Sequence, residues 1–237
     1  MPKERLTDGF NRFHEKYYEN GADLMKKLVK DGASPDFFIV NCIDPRNGAG
    51  VVFDAPPGQQ FQRQQMGAII PPYDPDKTAE LVAALSYAID TKKIKYLVIM
   101  GHSQCGAVQA LIEGTDDALI ENWVKMAAGA KNAAEKKLGT ADKEELLRET
   151  ERQTVIMSLK NALEYPMVKK AVAEGRLSVD GWYFDMEHGT LHEYRPEKDA
   201  FTQIAPQHGK RAKAPRRKPP HDPARRKSDS AAHRRAA

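Results

Sequence analysis

The stretch Ile94–Gly101, IKYLVIMG, is the clearest buried strand in the chain, and a second apolar run, Phe37–Val40 in DFFIVNC, has the same character. Continuous apolar runs of this length belong to the parallel strands that helices cover on both faces. Helical patterns flank the two runs. TAELVAALSYAID sets Leu81, Leu85 and Ala88 on one face. Residues 119–138 and 142–173 read as further helices, the second long and charged on its outside. Residues 9–30 carry helical spacing through Phe10, Phe13, Tyr17, Leu24 and Leu28, with Gly32 as a stop. FQRQQMGAII reads as a strand interrupted by Gly67, and LSVDGWYFDMEHGTLHEYRP as a hairpin turning at EHGT. The expected fold is α/β, with a mostly parallel central β-sheet flanked by helices and an N-terminal helical arm. The boundaries implied are an arm over 1–35, an α/β domain over 36–204 and a basic tail over 205–237.

Charge is unevenly spread. Residues 207–237 hold 11 Lys/Arg against 2 Asp/Glu, a net +9, so the rest of the chain holds 26 basic and 31 acidic side chains, a net −5. The chain's pI near 8.9 therefore comes from an appendage, and the body is mildly acidic rather than a nucleic-acid binder. The tail has almost no large apolar residues, so it is expected to be disordered, and its charge suits weak binding of polyanions. The N-terminus is charged throughout and shows no secretory signal, and no run approaches the length of a membrane span. A cytoplasmic protein with no membrane contact is the default expectation.

The chain has two cysteines, too few for a disulfide framework. A single buried cysteine after a strand is usually a small hydrophobe. Here Cys42 follows one apolar strand, and His102 and Cys105 follow another. In open parallel sheets, ligands bind beyond the carboxyl ends of the strands. If the two strands are neighbours, the two sulfurs and the imidazole converge. That is a zinc donor set, and three protein ligands leave a fourth position for water or substrate. Asp44 and Arg46 stand beside Cys42, and the other six histidines lie outside any matching spacing.

Cys42-Ile43-Asp44-Pro45-Arg46, followed about 60 residues later by Gly101-His102-Ser103-Gln104-Cys105-Gly106, resembles the β-class carbonic anhydrases. The likeness extends through PGQQFQRQQMGAIIPPYD and GRLSVDGWYFDMEHGTLHEY and covers roughly residues 20–200. It implies that Cys42, His102 and Cys105 ligate Zn²⁺. The fourth place would go to water in an active state or to Asp44 in a closed resting state. Arg46 would pair with Asp44 and hold it off the metal, while Asp44 orients the attacking oxygen. The reaction implied is reversible hydration of carbon dioxide to bicarbonate and a proton. The resemblance also implies a homodimer or homotetramer, with the arm reaching over a neighbour.

Several positions depart from the family pattern. Ile43 and Pro45 replace two serines, Gln64 replaces the asparagine that follows Arg63, and Pro56 stands where some members have a glutamine. Ile39 and Phe184 occupy the positions of a regulatory bicarbonate site, so none is expected. Two alternatives share the scaffold. One is a carbonyl sulfide or carbon disulfide hydrolase, the other a non-catalytic zinc-binding member recruited through its tail.

Overall fold

The computed structural model describes residues 2–19, 23–140 and 142–207. The basic tail from residue 208 on lies outside them. In chain order the elements are α1 (Pro2–Tyr18), α2 (Leu24–Asp31), β1 (Phe37–Asn41), α3 (Ala49–Val52), β2 (Gln60–Gln64), α4 (Ala79–Ser86), β3 (Tyr96–His102), α5 (Gly106–Glu113), α6 (Ala118–Val124), α7 (Ala128–Leu138), α8 (Lys143–Leu163), α9 (Pro166–Ala173), β4 (Ser178–Asp185), β5 (Thr190–Arg195) and β6 (Ala200–Ala205).

The six strands form one sheet in the order β2-β1-β3-β4-β5-β6. The first four run parallel, and β5 and β6 turn back antiparallel. The expected mostly parallel α/β architecture is therefore present. β1 and β3 are buried along nearly their whole length, as their unbroken apolar runs require. On one face, Phe38, Val40, Leu97 and Ile99 pack against Leu81, Leu85 and Ala88 of the α4 segment and against α8 and α9. On the other, Ile39, Val98 and Met100 pack with Ala49 of α3, Phe53 and Trp182. No described helix is long and apolar enough to cross a membrane.

The helices divide more finely than the sequence pattern suggests. The 9–30 periodicity resolves into α1 and α2, and residues 20–22 between them lie outside the described residues. The 142–173 segment breaks after Leu163 because Pro166 opens α9, and proline forces the preceding Tyr165 out of the helical region (ψ 126). The 119–138 segment breaks at a single 3₁₀ turn, Lys125–Ala127. There the indole N–H of Trp123 donates to the Met66 carbonyl at 2.9 Å and anchors α6, while α7 runs along α8. β6 has no counterpart in the sequence reading, which carried the domain to residue 204 but named no strand after the hairpin.

The approach of α8 to the sheet depends on Gly101. A Cβ there would lie 2.5 Å from Cγ2 of Val155, so only glycine permits the packing. Nor is the charged side of α8 all solvent-facing: Glu149, Thr150, Glu151, Thr154 and Ser158 are buried.

Candidate metal centre

β1 and β3 pair in parallel register, Asn41 opposite Met100, so their carboxyl ends lie side by side. Cys42 leaves β1, His102 ends β3, and Cys105 caps the start of α5. Their ligand atoms all lie within 4.8 Å of one another, and all three residues are buried. The Sγ atoms are 4.0 Å apart. Two thiolates at ~2.3 Å from a tetrahedral metal stand about 3.8 Å apart. The imidazole is oriented by its first nitrogen: Nδ1 donates to the Ser103 carbonyl at 2.8 Å, and a carbonyl can only accept. Ser103 is itself fixed, its Oγ accepting from the Met186 N–H at 2.8 Å. Nε2 of His102 is then buried with no hydrogen-bond partner. A buried acceptor left so costs about 1–3 kcal/mol, and a metal ion would satisfy it. Two sulfurs and an imidazole nitrogen fit zinc.

Without a metal the two thiols compete. The hydrogen bond from Cys105 lowers Cys42 against the cost of burial, helped by His102 and the Asp44 N–H. The same bond, together with burial and the negative charge on Cys42, drives Cys105 up. Cys42 thus ionises first. The Gly67 N–H points at its sulfur at 3.3 Å, from a backbone at φ 70 that glycine adopts without strain. Burial opposes a charged His102, but the Cys42 thiolate outweighs it and raises the imidazole.

Asp44 faces Arg46. Arg46 Nε donates to Oδ1 at 3.0 Å, Nη2 to Oδ2 at 2.7 Å, and the Arg46 main-chain N–H to Oδ1 at 2.9 Å. The Arg46 hydrogen bonds hold the Asp44 carboxyl at about 2, well below the usual carboxylate range. Pro45 favours this arrangement. It opens the 3₁₀ turn Pro45–Asn47, where its missing N–H is no loss, and Asp44 caps that turn at the extended ψ of 124 that a residue before proline prefers.

Arg46 reaches further, donating from Nη2 to the Gln104 carbonyl at 3.2 Å. The Cys105 N–H, on the other end of that peptide, donates to Glu151 Oε1 at 2.9 Å. Glu151 also accepts from the Tyr183 hydroxyl at 2.7 Å and from Arg148 at 3.1 Å. Burial pushes the Glu151 carboxyl up, and these donors favour its charged form. Burial and the nearby Glu151 charge keep the Tyr183 phenol protonated, as a donor must be.

A cavity of about 290 Å³ opens beside Cys42 and Asp44, walled by Ile43, Met66, Ala107 and Ile120. Its lining is mainly apolar, with the Asp44 carboxylate as its charged group, while Arg46 lies outside the lining. Arg63 does not join it; its guanidinium pairs with Glu80, and its Nε donates to Gln65 Oε1 at 2.8 Å. Ile39 and Phe184 sit together in the apolar cluster on the α3 face.

The five residues singled out from sequence, Cys42, Asp44, Arg46, His102 and Cys105, are thus gathered at the carboxyl ends of the central strands β1 and β3. Sequence reasoning missed Met66 and Ile120, which come from a 3₁₀ turn and a separate helix. It also missed Glu151 and Tyr183. The only signal for Glu151 is the cluster of buried Thr150, Thr154 and Ser158 around it, which marks the polar side of α8 as facing inward.

A family model described as carbonic anhydrase matches residues 37–191. β carbonic anhydrase 3 of Arabidopsis thaliana is 30% identical over 194 residues, spanning 79% of this chain and 75% of that protein. Among solved structures, the β-carbonic anhydrase CcaA is similar at 27% identity and a TM-score of 0.78, covering 86% of this chain and 92% of that one. Tetrameric β-carbonic anhydrases from Sordaria macrospora are similar at 25% identity and a TM-score of 0.71, covering 81% and 95%.

Proposed function

The chain belongs to the β-class carbonic anhydrase family, whose members are lyases, and from that premise we propose that it catalyses the zinc-dependent reaction CO₂ + H₂O ⇌ HCO₃⁻ + H⁺ with Cys42, His102 and Cys105 as metal ligands. The observation that carries this reading is the convergence of three buried donors, one of them the unpartnered Nε2 of His102. Zinc held there supplies a Lewis acid that brings the ionisation of water close to neutral pH.

The remaining work falls to the chain's own groups. Asp44, kept ionised by Arg46, accepts a hydrogen bond from the attacking oxygen and turns a lone pair toward CO₂. Arg46 spends its fork on Asp44 and the Gln104 carbonyl, which keeps the carboxylate turned to itself rather than to the metal position. The apolar walls at Ile43, Met66 and Ile120 suit a small, uncharged, weakly hydrated substrate. The Gly67 N–H stabilises the Cys42 thiolate.

The tetrameric relatives from Sordaria macrospora support a homo-oligomer, a dimer or a tetramer. The exposed Leu6 and Phe10 of α1 are consistent with an arm that covers a neighbour.

The test is hydration of CO₂ by stopped-flow on zinc-loaded protein, with carbonyl sulfide and carbon disulfide run in parallel. Hydration of CO₂ well above turnover of the sulfur analogues supports the proposal. Hydrolysis of carbonyl sulfide without CO₂ hydration would reassign the substrate, and zinc binding without either reaction would leave a non-catalytic member.

A further inference from the structure

The Glu151 carboxylate is among the least exposed acidic groups described, its side chain 1% accessible. A charge so buried is costly unless hydrogen bonds satisfy it, and apolar side chains often fill such a place as stably. Its position is therefore informative. It stands where α8 comes nearest β3, an approach that Gly101 permits, and Tyr183, its hydroxyl donor, lies on β4 directly opposite Gly101. Arg148, one turn earlier on α8, donates to both carboxylate oxygens, at 3.4 and 3.1 Å. Arg152 stacks over the Tyr183 ring at 5.1 Å, which fixes the phenol in turn.

What this fixed carboxylate holds is the main chain of Cys105. The peptide between Gln104 and Cys105 is a rigid plane. Its carbonyl end meets a cation, Arg46, and its N–H end meets an anion, Glu151, so its dipole lies along the field between them. Gln104 sits in the left-handed region at φ 59, a conformation that a side chain disfavours and that the two grips maintain. If the plane rotates, the Cα–Cβ bond of Cys105 swings with it and carries Sγ away from Cys42 and His102.

We propose that Glu151 is a positioning residue for the metal site: it orients the Cys105 sulfur by holding that residue's main-chain N–H, and so sets how tightly and how long the metal is retained. The inference rests on Cys42, His102 and Cys105 holding zinc, as proposed above. The same carboxylate also ties α8 to the sheet. A purely architectural role would lower thermal stability and leave zinc retention in the folded protein unchanged.

The experiment measures zinc content and the rate of zinc release to a chromogenic chelator from the full chain, at a temperature where circular dichroism is native. Glu151→Met combined with Arg148→Met removes the ion pair as a unit, which costs less than leaving one buried charge unpaired, and leaves the Cys105 N–H without an acceptor. Release should quicken about 10- to 100-fold, the usual cost of losing a partner that orients a metal ligand. Glu151→Gln keeps a carbonyl acceptor for that N–H and should stay within about threefold of wild type. In cobalt-substituted protein, the sulfur-to-metal charge-transfer band should shift in the double variant and not in Glu151→Gln.

Equal release rates in wild type and the double variant would overturn the role of Glu151 alone. A wild-type chain that holds no zinc would overturn the metal reading beneath it. If the double variant does not fold, Tyr183→Phe decides, because it frees one carboxylate oxygen without touching Cys105. A severalfold faster release supports the proposal, and an unchanged rate contradicts it.

Discussion

Arg46 and Glu151 grip opposite ends of one peptide unit. The arginine donates to the Gln104 carbonyl at 3.2 Å, and the glutamate accepts from the Cys105 N–H at 2.9 Å. A continuous chain of hydrogen bonds therefore runs from Asp44 at the cavity, through Arg46 and that peptide, to Glu151 and Tyr183 between α8 and the sheet.

Arg46→Lys tests the cavity end of this chain. Lysine is a point charge and cannot hold both oxygens of Asp44 and the Gln104 carbonyl together. Losing one charge-assisted bond, about 1.5–3 kcal/mol, corresponds to about 10- to 150-fold. The expected outcome is a fall of that size in kcat/KM for CO₂ hydration, with zinc still bound because Glu151 keeps its hold on the Cys105 N–H.

Acid should leave the Asp44–Arg46 pair intact far below neutrality. Asp44 falls to about 2 in the folded chain, chiefly through the Arg46 hydrogen bonds, against about 3.9 in an unfolded chain. A depressed carboxyl contributes stability that is present above the unfolded value and lost as pH falls through the folded one. The stability difference between wild type and Asp44→Asn should hence be flat from about pH 5 to 8 and shrink between about pH 4 and 2. Denaturant unfolding across that range measures it. A difference that shrinks near pH 6 would contradict the assignment.

Pro45→Ser should lower stability by about 0.4–1 kcal/mol, because proline stiffens the unfolded chain and already suits the first position of the 3₁₀ turn. Zinc content should not change, since Pro45 supplies no donor to the cluster. Loss of zinc in this variant would give Pro45 a part in the metal site that its geometry does not indicate.

Gly101→Ala should destabilise by about 1–3 kcal/mol, because the new methyl group meets Val155 at 2.5 Å. Val155→Ala should relieve the clash, so the double variant loses less than the two single losses together. Strict additivity would mean that α8 does not rest on the strand at this point.

The candidate metal donors were legible because each lies at the carboxyl end of a run whose unbroken apolar character marks a parallel strand. Parallel register did the rest, since Asn41 opposite Met100 brings Cys42 level with the end of β3. Asp44 and Arg46 were legible because they are bonded to each other within the same short loop. Glu151 was not, because charged residues on a long helix normally mark its wet side. Only packing across Gly101 turns that side inward. The break at Pro166 was written in the sequence but outweighed by the periodicity running through it. β6 was hidden because AFTQIA has little apolar alternation and borrows its place from pairing with β5.

The most direct test measures zinc stoichiometry and CO₂ hydration on one sample of the wild-type chain and on Cys42→Ser. About one zinc per chain is expected in the wild type, with hydration rising as pH increases through the ionisation of water beside the metal. Cys42→Ser should lose both together. Full zinc occupancy in the wild type with no CO₂ hydration at any pH, or undiminished hydration in Cys42→Ser, would contradict the account.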